Sequence, residues 1–315
     1  MTEQMSLVDV LGELTQRGID FTGIFDKAVL LQSLDDARKA DQPLEPEPRA
    51  PEPEPEQRAA PAEPEPVLPQ PELGEELLQL VVAGHCVRMQ VRSVMGLAVW
   101  AAASAAAERG VEMLRTLSKQ RYPSESAPVG LELGAGGALP SLLALVEGQQ
   151  MLATDGDVDV VALMRRNFAL NGHDRVRSIA PRQLDWTNTS DVDAVLADWP
   201  DGFPLIVAAD VFWNRDSMEQ FLASIPKLLD KTGRSPPSSL LLAMSDDLFL
   251  DLATHAVTAA ASYGLQLVAQ ESVTGASVST SAYGTVLRQD SKATLLTFCH
   301  EHIDIDASRQ FCNTV

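Results

Sequence analysis

Glu132, Asp155, Asp185 and Asp210 are acids placed where they could do chemistry, because each lies at or just beyond the end of a short apolar run. In a sheet whose strands are joined by helices, the carboxyl ends of the strands share one edge, so acids in phase with those ends converge on one crevice. After Leu133 the chain runs Gly134-Ala135-Gly136-Gly137-Ala138 and then re-emerges as an apolar, helix-like stretch containing Pro140. Glycines at 134 and 136 remove the side chains that would hold backbone amides away from a ligand, and the helix start supplies unpaired N–H donors beside them. Pro140 suits the first helical turn, where its missing N–H costs little. The stretch reads as a strand-loop-helix nucleotide cradle. Asp155 is placed for ribose hydroxyls, Asp185 for an adenine amino group and Trp186 for the base itself. A ribose-binding acid serves dinucleotides and other nucleosides alike, so it does not choose between them.

The elements that must position these residues follow from periodicity. Strands are expected at 129–133, 150–154, within 177–184, and at 205–209, 240–244, 266–272 and 294–300. Helices are expected over 160–170, 218–229 and 248–263, and an alanine-rich one over 99–117. From Gly74 the chain reads as helix, helix, then alternating strand and helix, with the structure of Leu77 to Val82 and of the stretch around Arg88 to Val94 left open by their patterns. Helices alternating with strands imply an α/β fold, a mostly parallel sheet covered on both faces.

Composition narrows the function class. With 315 residues, 45% of them hydrophobic, the chain can bury a sizeable core and hold more than one domain. A formal charge of −20 argues against a phosphate-backbone binder, which needs basic surface to displace counterions. Cys86, Cys299 and Cys312 are too few and too scattered for a disulfide framework or a zinc site, and His300 with His302 lacks a third ligand, so no metal is expected. Neither a signal peptide nor a membrane-length apolar run is recognisable, which leads to the expectation of a cytoplasmic protein, with the nucleus as the alternative.

Three regions are expected. Residues 1–40 carry Leu7, Val10, Leu11 and Leu14 at helical spacing and a second apolar pattern from Phe25 to Leu34. Residues 41–73 hold 11 of the 20 prolines, mostly alternating with glutamate. That composition builds no core and favours an extended, disordered linker of roughly 100 Å when fully stretched. Residues 74–315 would form the catalytic domain.

Two resemblances sharpen the reading. A dinucleotide fingerprint places a third glycine where this chain has Leu139, whereas Glu132 before Gly134 resembles the first motif of class I S-adenosylmethionine methyltransferases. Residues 95–300 resemble, within that seven-stranded Rossmann-like class, the family of non-histone protein-lysine methyltransferases called methyltransferase family 16. The resemblance rests on Gly96 with Trp100, on Leu131 to Pro140 with Ala138 in place of a glycine, and on Thr154-Asp155. It continues through Asn167 with Asn171, Leu184 with Trp186, and Asp210-Val211-Phe212-Trp213, where relatives end the motif in tyrosine. Separately, Leu14 to Leu34 resembles SAP-like helical modules, some of which touch nucleic acid; acids outnumber bases over residues 1–40, favouring protein docking instead.

The family resemblance implies S-adenosyl-L-methionine as cofactor, held by Trp100, Gly134, Ala135, Gly136, Asp155, Trp186 and Ala209. It implies an acceptor site flanked by Asp210 and Trp213; a partly desolvated channel lined by Phe212 and Trp213 would favour a neutral acceptor amine. The implied reaction is methyl transfer to a protein lysine; separately, the amino-terminal module and long linker favour a protein substrate docked through that module. A small-molecule methyltransferase of the same fold and a non-catalytic binding protein are the alternatives.

Overall fold

The computed structural model describes residues 75–92, 101–121, 128–172, 179–212, 214–233, 235–280, 286–300, 309 and 312. The expected helical module at 1–40 and the linker at 41–73 lie outside these residues. The described chain opens on two strands, β1 (Glu75–Val82) and β2 (His85–Arg92), followed by helix α1 (Ala101–Arg121). Then strands and helices alternate: β3 (Val129–Leu133), α2 (Leu139–Val146), β4 (Gln150–Asp155), α3 (Val158–Leu170), β5 (Arg182–Gln183), α4 (Thr189–Asp198), β6 (Leu205–Ala209), α5 (Arg215–Leu228), β7 (Ser239–Ser245) and α6 (Asp246–Ala260). Two long strands close the domain, β8 (Leu265–Thr280) and β9 (Val286–His300).

Seven strands form one sheet in the order β5-β4-β3-β6-β7-β9-β8. β3 to β7 run parallel, while β9 is antiparallel to both β7 and β8. This is the mostly parallel α/β sheet expected from the alternation, with the seven strands and Rossmann-like class that the family resemblance implied. Chain order reverses at β3, which lies between β4 and β6, so the ends of β3 and β6 border the crevice where such sheets bind ligands.

The central strands are apolar throughout because both of their faces are covered. On β6, Leu205 and Val207 face the layer that contains α1 and α2, whereas Ile206 and Ala208 face α5 and α6. Leu131 and Leu133 of β3 join the second layer, which leaves Glu132 pointing into the first. Its backbone is fixed in parallel register, Glu132 opposite Ala153 on one side and Val207 on the other.

The first segment differs from expectation. Residues 75–92 form an antiparallel hairpin, with Val82 opposite His85 across an Ala83-Gly84 turn at φ 49° and 79°. Its period of two is masked because β1 is apolar on both sides: Leu78 and Val82 are buried while Leu77 and Val81 are 51% and 60% exposed. The turn also lacks the Asn-Gly or Asp-Gly pair that usually signals positive φ. Elsewhere α4 occupies a stretch with no expected element, β5 shrinks to two residues, and β8 and β9 extend well beyond 266–272 and 294–300. Among the described residues no helix is long and apolar enough to cross a membrane.

Candidate active site

The turn after β3 is built from left-handed backbone. Gly134 has φ 60° and Gly136 φ 51°, and Ala138, where relatives carry glycine, adopts φ 65°. The alanine methyl at 138 is fully buried, so the hydrophobic gain of about 0.8 kcal/mol partly offsets a left-handed penalty of roughly 1–2 kcal/mol. The turn is pinned to the neighbouring strand: the Ala135 N–H donates to Thr154 O at 2.9 Å, and the Gly136 N–H donates to Asp155 Oδ2 at 3.1 Å. Asp155 Oδ1 accepts from the Asp157 N–H at 3.0 Å. Burial pushes the Asp155 carboxyl above its ordinary range, against these hydrogen bonds.

Glu132 anchors the following helix. Its Oε2 accepts from the Ser141 N–H at 2.9 Å and from the Ser141 hydroxyl, which together occupy an otherwise unpaired donor in the first turn of α2. The carboxyl is 3% exposed, and desolvation raises its pKa to about 8 despite Ser141. Ser141 was not singled out by its sequence position, although it follows Pro140 in the first helical turn.

At the exit of β6, Asp210 has φ 50° and is 7% exposed. Its N–H donates to Ala243 O at 3.0 Å, while Oδ1 and Oδ2 accept from the Ser245 N–H and hydroxyl, both at 2.7 Å. Ser245 stands at the N-cap of α6 without a side-chain capping bond, its hydroxyl being engaged by Asp210. Burial raises the Asp210 pKa to about 6, with the Ser245 donors pulling the other way.

The β3 and β6 exits touch. A Cβ added at Gly134 would stand 2.8 Å from Val211 Cγ1 and 3.4 Å from Trp186 Cζ3, so glycine there provides both the left-handed turn and room for two neighbouring segments. Trp186 is half-buried with its ring edge-on to Phe221, the centroids 5.6 Å apart. Ala209, half-buried, ends β6 beside this junction. Asp185 closes its own turn, accepting from the Thr187 N–H and hydroxyl at 2.8 and 2.7 Å.

Thus Gly134, Ala135, Gly136, Asp155, Trp186, Ala209 and Asp210 gather at the carboxyl edge. Trp100 and Trp213 lie outside the described residues. Phe212 departs from its expected place: it is buried against Phe221 in the core and lines no open channel. A strand-end carboxylate, a turn cleared of bulky side chains and an aromatic edge have the chemistry to receive the ribose, amino-acid and adenine parts of S-adenosylmethionine.

A family model described as lysine methyltransferase matches residues 86–245, more than half of the chain. Methyltransferase-like protein 22 from Mus musculus is 28% identical over 114 residues, covering 32% of this chain and 29% of that protein. The protein of the same name from Homo sapiens is 27% identical over 111 residues, covering 31% and 28%. The chain therefore matches less than a third of the length of these curated relatives. Among solved structures, a SAM-dependent methyltransferase from Agrobacterium tumefaciens aligns with a TM-score of 0.45 at 15% identity over 74% of this chain and 72% of that one. A SAM-dependent methyltransferase from Anabaena variabilis aligns at 0.42 and 13%, over 64% and 87%.

Proposed function

The chain belongs to the lysine methyltransferase family, and from that premise we propose that it is an S-adenosylmethionine-dependent protein-lysine N-methyltransferase. The observation that carries the reading is the contact between the cofactor turn and the acceptor-side segment, Gly134 against Val211, one residue from Asp210. A group held beside Asp210 would meet a group held by the glycine turn.

The cofactor, when bound, supplies a sulfonium methyl open to in-line displacement. The protein's task is placement, and proximity can supply on the order of 7–11 kcal/mol of barrier reduction. Asp155 would hold the ribose hydroxyls, Trp186 would pack on the adenine, and the turn at Gly134 to Gly136, free of bulky side chains, would let the amino-acid end approach closely. An acceptor lysine must first become neutral, against a reference pKa of about 10.4, which a desolvated crevice favours. Asp210 serves first to orient the incoming amine and second as a base for the proton that the lysine ammonium must lose before transfer. Ser245 donates to both carboxylate oxygens but leaves each a further lone pair for the amine. Trp213 stands in the sequence where the family motif ends in tyrosine, and by that resemblance it bears on the choice of acceptor.

A protein substrate is supported by the chain's amino-terminal organisation. A docking module joined by a long Pro/Glu spacer raises the effective concentration of a tethered partner at the crevice. The test is incubation of the full chain and cell lysates with methyl-labelled cofactor, followed by mass spectrometry of the labelled products. Label on lysine supports the reading. Label confined to a small molecule or to another side chain overturns the lysine assignment, and bound cofactor without transfer makes the protein a binder.

A further inference from the structure

Asn167, on α3, and Asn171, its C-cap, lie four residues apart, a helical rise of roughly 6 Å, which matches two residues of extended strand at roughly 6.6 Å. They meet β2 at that spacing. The Gln90 N–H donates to Asn167 Oδ1 at 2.6 Å and Asn167 Nδ2 donates to Gln90 O at 3.1 Å, while the Arg88 N–H donates to Asn171 Oδ1 at 2.9 Å and Asn171 Nδ2 returns a bond to Arg88 O. The two amides thus imitate a strand along one edge of β2.

Asn171 Nδ2 makes one further bond within its own helix end, to Asn167 O at 2.7 Å, whereas Asn167 reaches another element. It is fully buried, and its Nδ2 also donates to Gly137 O at 3.1 Å, inside the turn that follows β3. Beside it the Met89 methyl presses on Gly137: a Cβ there would lie 2.5 Å from Met89 Cε. The hairpin therefore meets the cofactor turn directly through the Met89 methyl and indirectly through Asn167 of α3, whose side chain bonds both Gln90 and Gly137 O.

We propose that the β1–β2 hairpin is a brace for the cofactor turn and that Asn167 is the positioning residue coupling them, setting cofactor affinity without touching the cofactor. Glycine-rich backbone with three left-handed residues in five is free to rearrange where it is not held; the amides of Ala135 and Gly136 are tied to β4, and holding Gly137 O fixes the far end of the turn before the ligand arrives. Asn171 secures the hairpin but not the turn, so the two asparagines separate bracing from stability. The inference rests on the assignment of the turn to S-adenosylmethionine.

The experiment compares Asn167→Ala with Asn171→Ala in the full chain. It measures the S-adenosylmethionine Kd by calorimetry, and the ligand-free melting temperature and amide exchange at residues 134–138. Both variants should melt lower than the parent. Asn171→Ala should keep its Kd within about twofold, whereas Asn167→Ala should raise Kd about tenfold, the scale of one lost hydrogen bond, and speed exchange in the turn. If Asn167→Ala does not fold, Met89→Ala tests the second contact, with a Kd raised severalfold and Leu78→Ala as the hairpin-packing control. Equal Kd changes in the members of either pair, or an unchanged Kd in Asn167→Ala, overturn the brace. A parent chain that fails to bind S-adenosylmethionine overturns the cofactor assignment and the brace with it.

Discussion

Asp210 gives both carboxylate oxygens to Ser245, one to its N–H and one to its hydroxyl, each at 2.7 Å. The pair ties the exit of β6 to the start of α6 and holds Asp210 in left-handed backbone, a conformation that aspartate tolerates better than most residues. The acid is therefore aimed by a residue 35 positions away.

Asp210→Asn is isosteric, and its amide can keep the Ser245 N–H bond while donating to the hydroxyl. Cofactor binding and melting temperature should change little, and methyl transfer should fall by roughly 10²-fold or more, as when a positioned polar group or proton acceptor is removed. Steady-state assay beside calorimetry checks this, and full activity in the variant would remove Asp210 from the mechanism. Ser245→Ala should instead lower stability by about 1–3 kcal/mol, because it leaves a buried carboxylate oxygen without its donor.

Asp155→Ala removes the acid expected to hold the ribose and frees the Gly136 N–H. S-adenosylmethionine should raise the melting temperature of the parent chain and leave that of the variant unmoved. A shift produced by NAD in place of S-adenosylmethionine would contradict the assignment of the cradle.

Glu132 gives the fold a pH dependence. Burial raises its pKa from 4.5 to about 8, so between those values the unfolded chain releases a proton that the folded chain keeps. The stability it contributes is complete below the lower value and is lost as pH rises through the upper one, by at most ~1.4 kcal/mol per pH unit. Asp155 and Asp210 shift in the same direction and add to the fall in the acidic part of the window. Urea unfolding from pH 5 to 8 should show this decline, and Glu132→Gln should flatten it. Parallel curves for the two proteins would show that Glu132 is ionised in the fold.

Deleting residues 1–73 should leave the S-adenosylmethionine Kd unchanged, because the described cradle draws only on residues beyond them. Transfer to a protein substrate should weaken if the module docks it, while transfer to a short lysine peptide should not. Lost cofactor binding on deletion would place part of the cofactor site upstream of Gly74.

The central strands were legible in the sequence because strands buried on both faces leave unbroken apolar runs, as at 129–133, 205–209 and 240–244. The cradle was legible because its left-handed turn calls for glycine and its strand-end acid follows a fixed topology. Periodicity, however, reports that a face is buried and not what buries it. The hairpin was hidden because Leu77 and Val81 are apolar on an exposed face, and Phe212 could be assigned to core or channel only once Phe221 was beside it. Ser141, Ser245 and Asn167 owe their roles to partners 9, 35 and 77 positions away, brought into reach by the crossing of strands and helices. Local composition determined which segments could build a nucleoside site. Tertiary packing decided which side chains hold it in shape, because a hydrogen bond needs both partners within about 3 Å, and only the folded chain brings them there.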